Sequence, residues 1–344
     1  MNMGGLATGP PSPPRSAARE TRATARPYAT REGVLMQVGV NILNFGPGVG
    51  ADALGRWARL AEDLGYHSVM ISDHVAMTPD VRQRYPEPFY DPFATLAWMA
   101  GQTRRVQLGT TVCVLPYRHP ILMARLAANI DVLSGGRFIF GVGVGNPNSR
   151  LEAEAMGVPF HRRGAVADEY LAAIKALWTQ DTASFQGTFV SFTDVSRIRP
   201  ASGPGRPHPP IWVGGASDAA VRRAVRFGDA WHPNRFTVSW LRDEGIPRLT
   251  RVAADAGRPV PALCPRLRFR ITDSPVTDPL RQAGTGSLPQ LHDDFTQLEA
   301  LGVRHVILDW YTDDLDLTRR HEWGWRMFAT MAEKVFDLSK ETVR

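Results

Sequence analysis

The residues with chemistry to offer fall in short clusters, each at the end of an apolar run. Ser72-Asp73-His74 sets an imidazole beside a carboxyl group. Imidazole can hydrogen-bond a ring or move a proton near neutral pH. A His at such a place can also simply cap the loop that follows, and residue type alone leaves both roles open. His232, after Trp231, offers the same two roles. His119 follows Tyr117-Arg118 and opens a helix, which is a structural place. Gly214-Gly215-Ala216-Ser217 stands directly before a helical pattern. Free backbone N–H groups at a helix N-terminus bind phosphate when no side chain obstructs them. The alternative is a tight turn capped by Ser217. The late position of the loop favours phosphate if the fold is a barrel. The run from Gly141 to Gly145 allows close approach of backbone or ligand, and Asn146 and Asn148 follow it. Asn41 ends the first run, Gly109-Thr110-Thr111 lies in the third, and Asp309-Trp310 closes the last.

Eight apolar runs carry these clusters, over 36–42, 68–72, 106–114, 137–144, 211–213, 229–231, 266–271 and 303–308. A helical pattern follows each one. Leu54, Trp57, Ala58, Ala61 and Leu64 share one helix face, and Gly65 supplies the C-cap. Asp91-Pro92 is an N-cap followed by proline at the first helical position. Further helices are expected over 121–133, 165–177, 219–227, 240–256 with a break near Pro247, 288–301 and 319–336. Continuous apolar runs suit strands buried on both faces. Eight strand–helix units predict a (β/α)8 barrel, an α/β fold whose chemistry sits at the C-terminal ends of its strands. No G-x-G-x-x-G follows a strand as in a dinucleotide-binding open sheet.

Two insertions interrupt the pattern, after strand four (146–163) and before strand five (181–210). The second holds an expected hairpin turning at Gln186-Gly187 and a Pro/Gly connector over 200–210. Both are expected to wall a substrate pocket. The barrel domain is placed at 35–344. Residues 1–34 are expected to be a disordered extension, with Met36 as a candidate start of translation.

Composition narrows the field. Of the net charge of +6, half lies in residues 1–33, where five arginines stand against two glutamates. There is no basic stripe with interleaved aromatics, so nucleic-acid binding is not expected. No apolar run reaches the ~18 residues of a membrane span. No H-x-x-x-H or H-E-x-x-H suggests a metal, and no G-x-S-x-G suggests a serine hydrolase. Cys113 and Cys264 form no framework, and a reducing, cytoplasmic setting is the default expectation.

Taken in order, several stretches together resemble a known family. They are Ser72-Asp73-His74, Leu108 to Val112 with Leu115 to Pro120, Leu133 to Arg137 with Gly141 to Gly145, Pro209 to Gly215, and Gly228 to Pro233. The chain resembles the bacterial luciferase-like flavin enzymes, and in particular their branch that uses the deazaflavin coenzyme F420. The resemblance implies that Asp73 and His74 lie near the cofactor ring. It implies a non-prolyl cis peptide at Thr111–Val112 behind that ring, and a phosphate cradle from Gly214 to Ser217. Cofactor contacts are accordingly expected at Asn41, Asp73, His74, Thr110, Thr111, Val112, Gly143, Gly214, Gly215, Ala216 and Ser217. Catalytic roles are expected of His74, Asn146 and His232. The sugar-phosphate dehydrogenases of this branch carry a Glu just after the strand-four glycines, where this chain has Asn146. An amide cannot serve as that acid, which sets the sugar-phosphate reaction apart.

The expected activity is F420-dependent exchange of a hydride with a small organic substrate. An FMN-dependent monooxygenase using O2 is the alternative. Family members often dimerise, and apolar helix faces permit it here. Two other readings are a barrel that binds flavin without catalysis and a cofactor-free isomerase or lyase. The strand-end His and Asn residues argue against the first. The second needs a strand-end Glu or Lys as base, and none is found.

Overall fold

The computed structural model describes residues 36–201 and 206–344. The expectation of a disordered segment over 1–34 lies outside the described residues. Eight parallel strands form the centre. They are β1 (Gln37–Ile42), β2 (Ser68–Ile71), β3 (Gln107–Thr110, then Cys113–Val114) and β4 (Phe138–Gly143). There follow β5 (Ile211–Gly214), β6 (Ala230–His232), β7 (Ala262–Leu263, then Arg266–Arg268) and β8 (His305–Asp309). Each strand is paired with the next in sequence, and β8 pairs with β1. The first piece of β7 joins β6 and the second joins β8, so the ladder returns to its start. This is the expected (β/α)8 barrel.

The helices follow in step: α1 (Ala51–Leu64), α2 (Pro92–Gln102), α3 (Pro120–Leu133), α4 (Arg163–Thr179), α5 (Asp218–Phe227), α6 (Ile246–Asp255), α7 (Leu288–Ala300) and α8 (His321–Lys334). Their ends bear out the sequence signals. Asp91 accepts the N–H groups of Phe93 (2.8 Å) and Ala94 (2.9 Å), with Pro92 at the first turn. Gly65 is the C-cap of α1. His119 caps α3 by accepting from Ile121 N–H, a structural role as expected.

Alternation along the strands sorts the apolar side chains into two layers. Met70, Ile139, Trp212, Ala230, Cys264 and Ile307 form a small cluster of their own, drawn from the strands and, for Cys264, from the break in β7. Their sequence neighbours Val69, Phe138, Phe140, Val213 and Leu308 belong to the large core shared with helix residues such as Trp57, Met123 and Leu171. The small cluster is therefore the filling of the barrel, and the large one lies between strands and helices.

Three details depart from the sequence pattern. Strand β3 is broken at Thr111-Val112 by a cis peptide bond. Strand β7 begins at Ala262 and breaks at Cys264-Pro265, because the Cys264 carbonyl is taken by the His232 ring and Pro265 has no N–H to donate. The helix over 238–255 continues past Pro247. A π-helical turn, Leu241–Gly245, precedes it and leaves Pro247 in the first turn of α6, where no N–H is needed.

The insertion after β4 folds into a short helix, Arg150–Ala155. The second insertion does contain a hairpin, Thr182–Gln186 against Ser191–Ser196. Its turn lies over Gly187–Val190, two residues later than expected, because Glu169 of α4 accepts the N–H groups of Thr188, Phe189 and Val190.

Candidate active site

A cavity of about 710 Å³ opens at the C-terminal ends of the strands. That size suits a cofactor-sized ligand. Its lining includes Asp73, His74, Thr111, Val112, Gly143, Asn146, Gly214, Gly215, Ala216, Ser217 and His232. The barrel thus gathers eleven expected site residues from strands two to six into one space.

The floor is built round Thr111 and Val112. Their peptide bond is cis, as the resemblance implied. The Val112 side chain occupies the room that side chains at two glycines would need. A Cβ on Gly143 would come within 2.5 Å of Val112 Cγ2, and one on Gly214 within 2.9 Å of Cγ1. The glycines ending β4 and β5 therefore let Val112 rise between them. Thr111 is clamped from two sides: its hydroxyl meets His232 Nε2 at 2.8 Å, and its carbonyl accepts from the Arg266 guanidinium. Arg266 is held in turn by Asp309 (2.7 Å), and Asp309 accepts from Asn41 (2.7 Å).

One wall is the loop from Gly214 to Ser217 with the start of α5. Gly215 has φ +106, a conformation that L side chains rarely adopt. Its carbonyl accepts from Trp231 Nε1 at 2.8 Å, and the Ala216 carbonyl accepts from Arg248 at 2.9 Å. Ser217 Oγ accepts from Ala220 N–H at 3.3 Å. Ser217 caps the helix, as the capped-turn reading has it, and the loop lines the cavity. Arg163, Gly164 and Arg223 line the same side. The Arg163 Nε is buried with no partner among the described residues.

The opposite wall centres on His74. Its Nδ1 lies 2.7 Å from Glu152 Oε2, and Glu152 Oε1 accepts from Val75 N–H at 2.7 Å. Glu152 is fully buried, and Tyr117 donates to it at 3.3 Å. The Tyr85 ring packs on His74 at 4.6 Å. Glu152 sits in the helix supplied by the insertion after β4, so that loop positions the imidazole.

Six expectations change in this geometry. His232 is buried, with Nδ1 bound to the Cys264 carbonyl and Nε2 to Thr111, and burial lowers its pKa to about 4. Both ring nitrogens are engaged, so the imidazole braces the floor. Asp73 spends both carboxylate oxygens on Arg118 (2.7 and 3.0 Å) and on Val114 N–H (2.8 Å), so its side chain braces the end of β3. Burial raises its pKa, and the Arg118 guanidinium opposes that. Asn41 does not line the cavity; it stands behind Asp309. Thr110 does not either, since its hydroxyl donates to the Gly141 carbonyl at 2.6 Å. Asn146 lines the cavity, but its Oδ1 accepts from Asn148 N–H at 2.9 Å and shapes the loop. The hairpin of the second insertion is also absent from the lining, because it lies along α4.

Sequence reading missed Glu152, Tyr85, Arg163, Arg223 and Arg266. Glu152 stands between Arg150 and Glu154, which form an exposed ion pair, so its surroundings resembled a solvated charged turn. No local signal marked the others.

A closed α/β barrel with a cavity at its strand ends defines a barrel-enzyme architecture. The family model for luciferase-like monooxygenases matches residues 36–278, and the chain belongs to that family. It is an enzyme of the luciferase-like oxidoreductase and monooxygenase superfamily. An uncharacterized protein of Mycobacterium tuberculosis is 34% identical over 216 residues, 59% of this chain and 72% of that protein. An F420-dependent glucose-6-phosphate dehydrogenase of Amycolatopsis mediterranei is 32% identical over 183 residues, spanning 52% of each chain. Among solved structures, the monooxygenase RslO1 of Streptomyces bottropensis superposes with a TM-score of 0.66 at 22% identity, covering 86% of this chain and 98% of that one. An F420-dependent secondary alcohol dehydrogenase superposes with a TM-score of 0.66 at 17% identity, covering 83% and 96%. At these identities the structural likeness shows the fold alone.

Proposed function

We propose that the chain is an F420-dependent oxidoreductase acting on a small organic substrate. The observation that carries this reading is the buried His74–Glu152 pair, which faces the glycine loop at the start of α5 across the Val112 floor. The residues fit a flat ring with a phosphate tail. Glycines leave the floor open around Val112, and the unpartnered Arg163 Nε lies on the phosphate side. Gly214 to Ser217, Arg163 and Arg223 would hold the phosphate, and Val112 would back the ring. A bound deazaflavin supplies a ring carbon that exchanges a hydride.

The protein's own work is positional. Glu152 fixes His74 through Nδ1, which leaves Nε2 as the nitrogen that hydrogen-bonds a ligand or carries a proton. Arg266 and His232 keep the Thr111–Val112 segment in place under the ring. The aromatic rings of Tyr85 and Tyr311, 5.9 Å apart, exclude water beside His74.

Absorbance titration of the purified chain with F420 and with FMN tests the reading. Saturable binding of F420, with hydride exchange against a panel of alcohols and aldehydes, is the expected result. Tight binding of FMN without F420 binding would instead make the chain a monooxygenase using reduced FMN. Binding of neither would remove the cofactor assignment altogether.

A further inference from the structure

Six arginines and three aspartates line the cavity. Two of the arginines, Arg163 and Arg223, stand beside the α5 loop, and Arg266 is paired with Asp309. Arg84, Arg235 and Arg268 form a separate group. They come from the loop after β2, the loop after β6 and the end of β7. Asp313 is their carboxylate partner. It contacts Arg268 directly and lies 3.7 Å from Arg235. Arg84 has no ion pair among the described residues, and its backbone carbonyl accepts from Tyr311.

Two of the guanidinium groups share the single carboxylate of Asp313, and Arg84 has none among the described residues. Arg268 is only 24% exposed and Asp313 32%. Burial, followed by the positive charges of Arg268 and Arg84, lowers the Arg235 pKa, as expected when like charges are held together. Partly desolvated like charges are costly unless an anion completes them. Guanidinium forks match the two oxygens of a carboxylate or phosphate.

We propose that Arg84, Arg235 and Arg268 bind an anionic group, a carboxylate or phosphate ester, carried by the substrate. The proposal rests on the assignment of the α5 side of the cavity to the cofactor. Asp313 holds the Arg268 and Arg235 side chains, and the Tyr311 hydroxyl holds the Arg84 backbone, so the three cations stand ready when the substrate arrives. The anionic group then anchors one end of the substrate, and His74 lies on the wall next to Tyr85, between that anchor and the ring.

The test is calorimetric titration of the F420-loaded protein with inorganic phosphate and, separately, with acetate. With the cofactor in place, the α5 loop is filled, and remaining anion binding reports the arginine group. Phosphate is expected to bind, and Arg235→Gln with Arg268→Gln to weaken it about tenfold or more, as loss of charge-assisted hydrogen bonds predicts. F420 affinity should stay within about twofold of the parent. Arg84→Gln, which breaks no ion pair, should weaken phosphate binding without lowering the melting temperature. Absence of phosphate binding, or binding unaffected by these changes, overturns the proposal. So does a parallel loss of F420 affinity, which would give the arginines to an anion on the cofactor itself. If F420 does not bind, the same titration runs on the purified chain beside Ala216→Asp. Phosphate binding lost only in Ala216→Asp overturns the proposal, and binding lost only in the arginine variants sustains it.

Discussion

His74 has the chemistry that a strand-end imidazole promises, but its behaviour depends on a residue 78 positions away. Glu152 is buried and makes three contacts, to His74, Val75 and Tyr117. Replacing His74 with Ala should cut kcat by about 10²–10⁴-fold, the usual range for a lost acid–base group. Glu152→Gln keeps a hydrogen-bond acceptor for Nδ1, whereas Glu152→Ala leaves the ring unheld. The Ala variant should therefore lose markedly more kcat than the Gln variant, with cofactor affinity little changed in both. Steady-state kinetics and cofactor titration together check this. Equal losses in the two Glu152 variants would mean that orientation of the ring is not what Glu152 provides. His232 shows the opposite case. Its residue type suggested chemistry, yet burial and two committed nitrogens make it part of the scaffold.

At the scale of elements, the loop Gly214 to Ser217 does two jobs at once. It leaves β5 through Gly215 at φ +106, and it starts α5 with a serine cap. A helix N-terminus favours negative charge by about 0.3–1 kcal/mol at exposed sites, and more where water is excluded. A carboxylate placed there competes with a bound phosphate. Gly215→Asp should abolish cofactor binding through charge and also strain the turn. Ala216→Asp adds the charge without requiring a positive φ. Binding retained in Ala216→Asp but lost in Gly215→Asp would show that backbone shape, not charge, governs the loop. The insertion after β4 works on a similar plan, since a short helix there delivers Glu152 to the histidine that follows β2. The hairpin in the second insertion has a plainer function: it is fastened to α4 by Glu169 and stays clear of the cavity.

The whole molecule places two histidines inside the barrel in neutral form. Burial lowers the pKa of His232 to about 4 and that of His305 well below the usual value of 6.5. The unfolded chain therefore binds protons at these rings more tightly than the folded one. Stability is fully present above about pH 6.5 and is lost as pH falls from there towards 4. For His232 alone the loss across that window is about 3 kcal/mol. Urea unfolding midpoints measured between pH 7 and 4 should decline steeply, and less so in His232→Gln. A flat profile would show that these rings are not held neutral. Among the described residues, no helix is long and apolar enough to cross a membrane.

The barrel was legible in the chain because its information is local. Apolar runs of strand length, helical spacing after each, Asp91-Pro92, Gly65 and Ser217 all act within a few residues of themselves. The ordered clusters at strand ends also marked residues that line one cavity, and the cis bond at Thr111–Val112 followed from family resemblance. What no local pattern could decide was which polar groups spend their hydrogen bonds on the protein. Asp73 and His232 are consumed by Arg118, Thr111 and Cys264, while Glu152 and the three arginines arrive from distant loops. Barrel closure brings those loops together, and competition for partners inside a desolvated space then assigns each group its role. That competition exists only once the chain has folded.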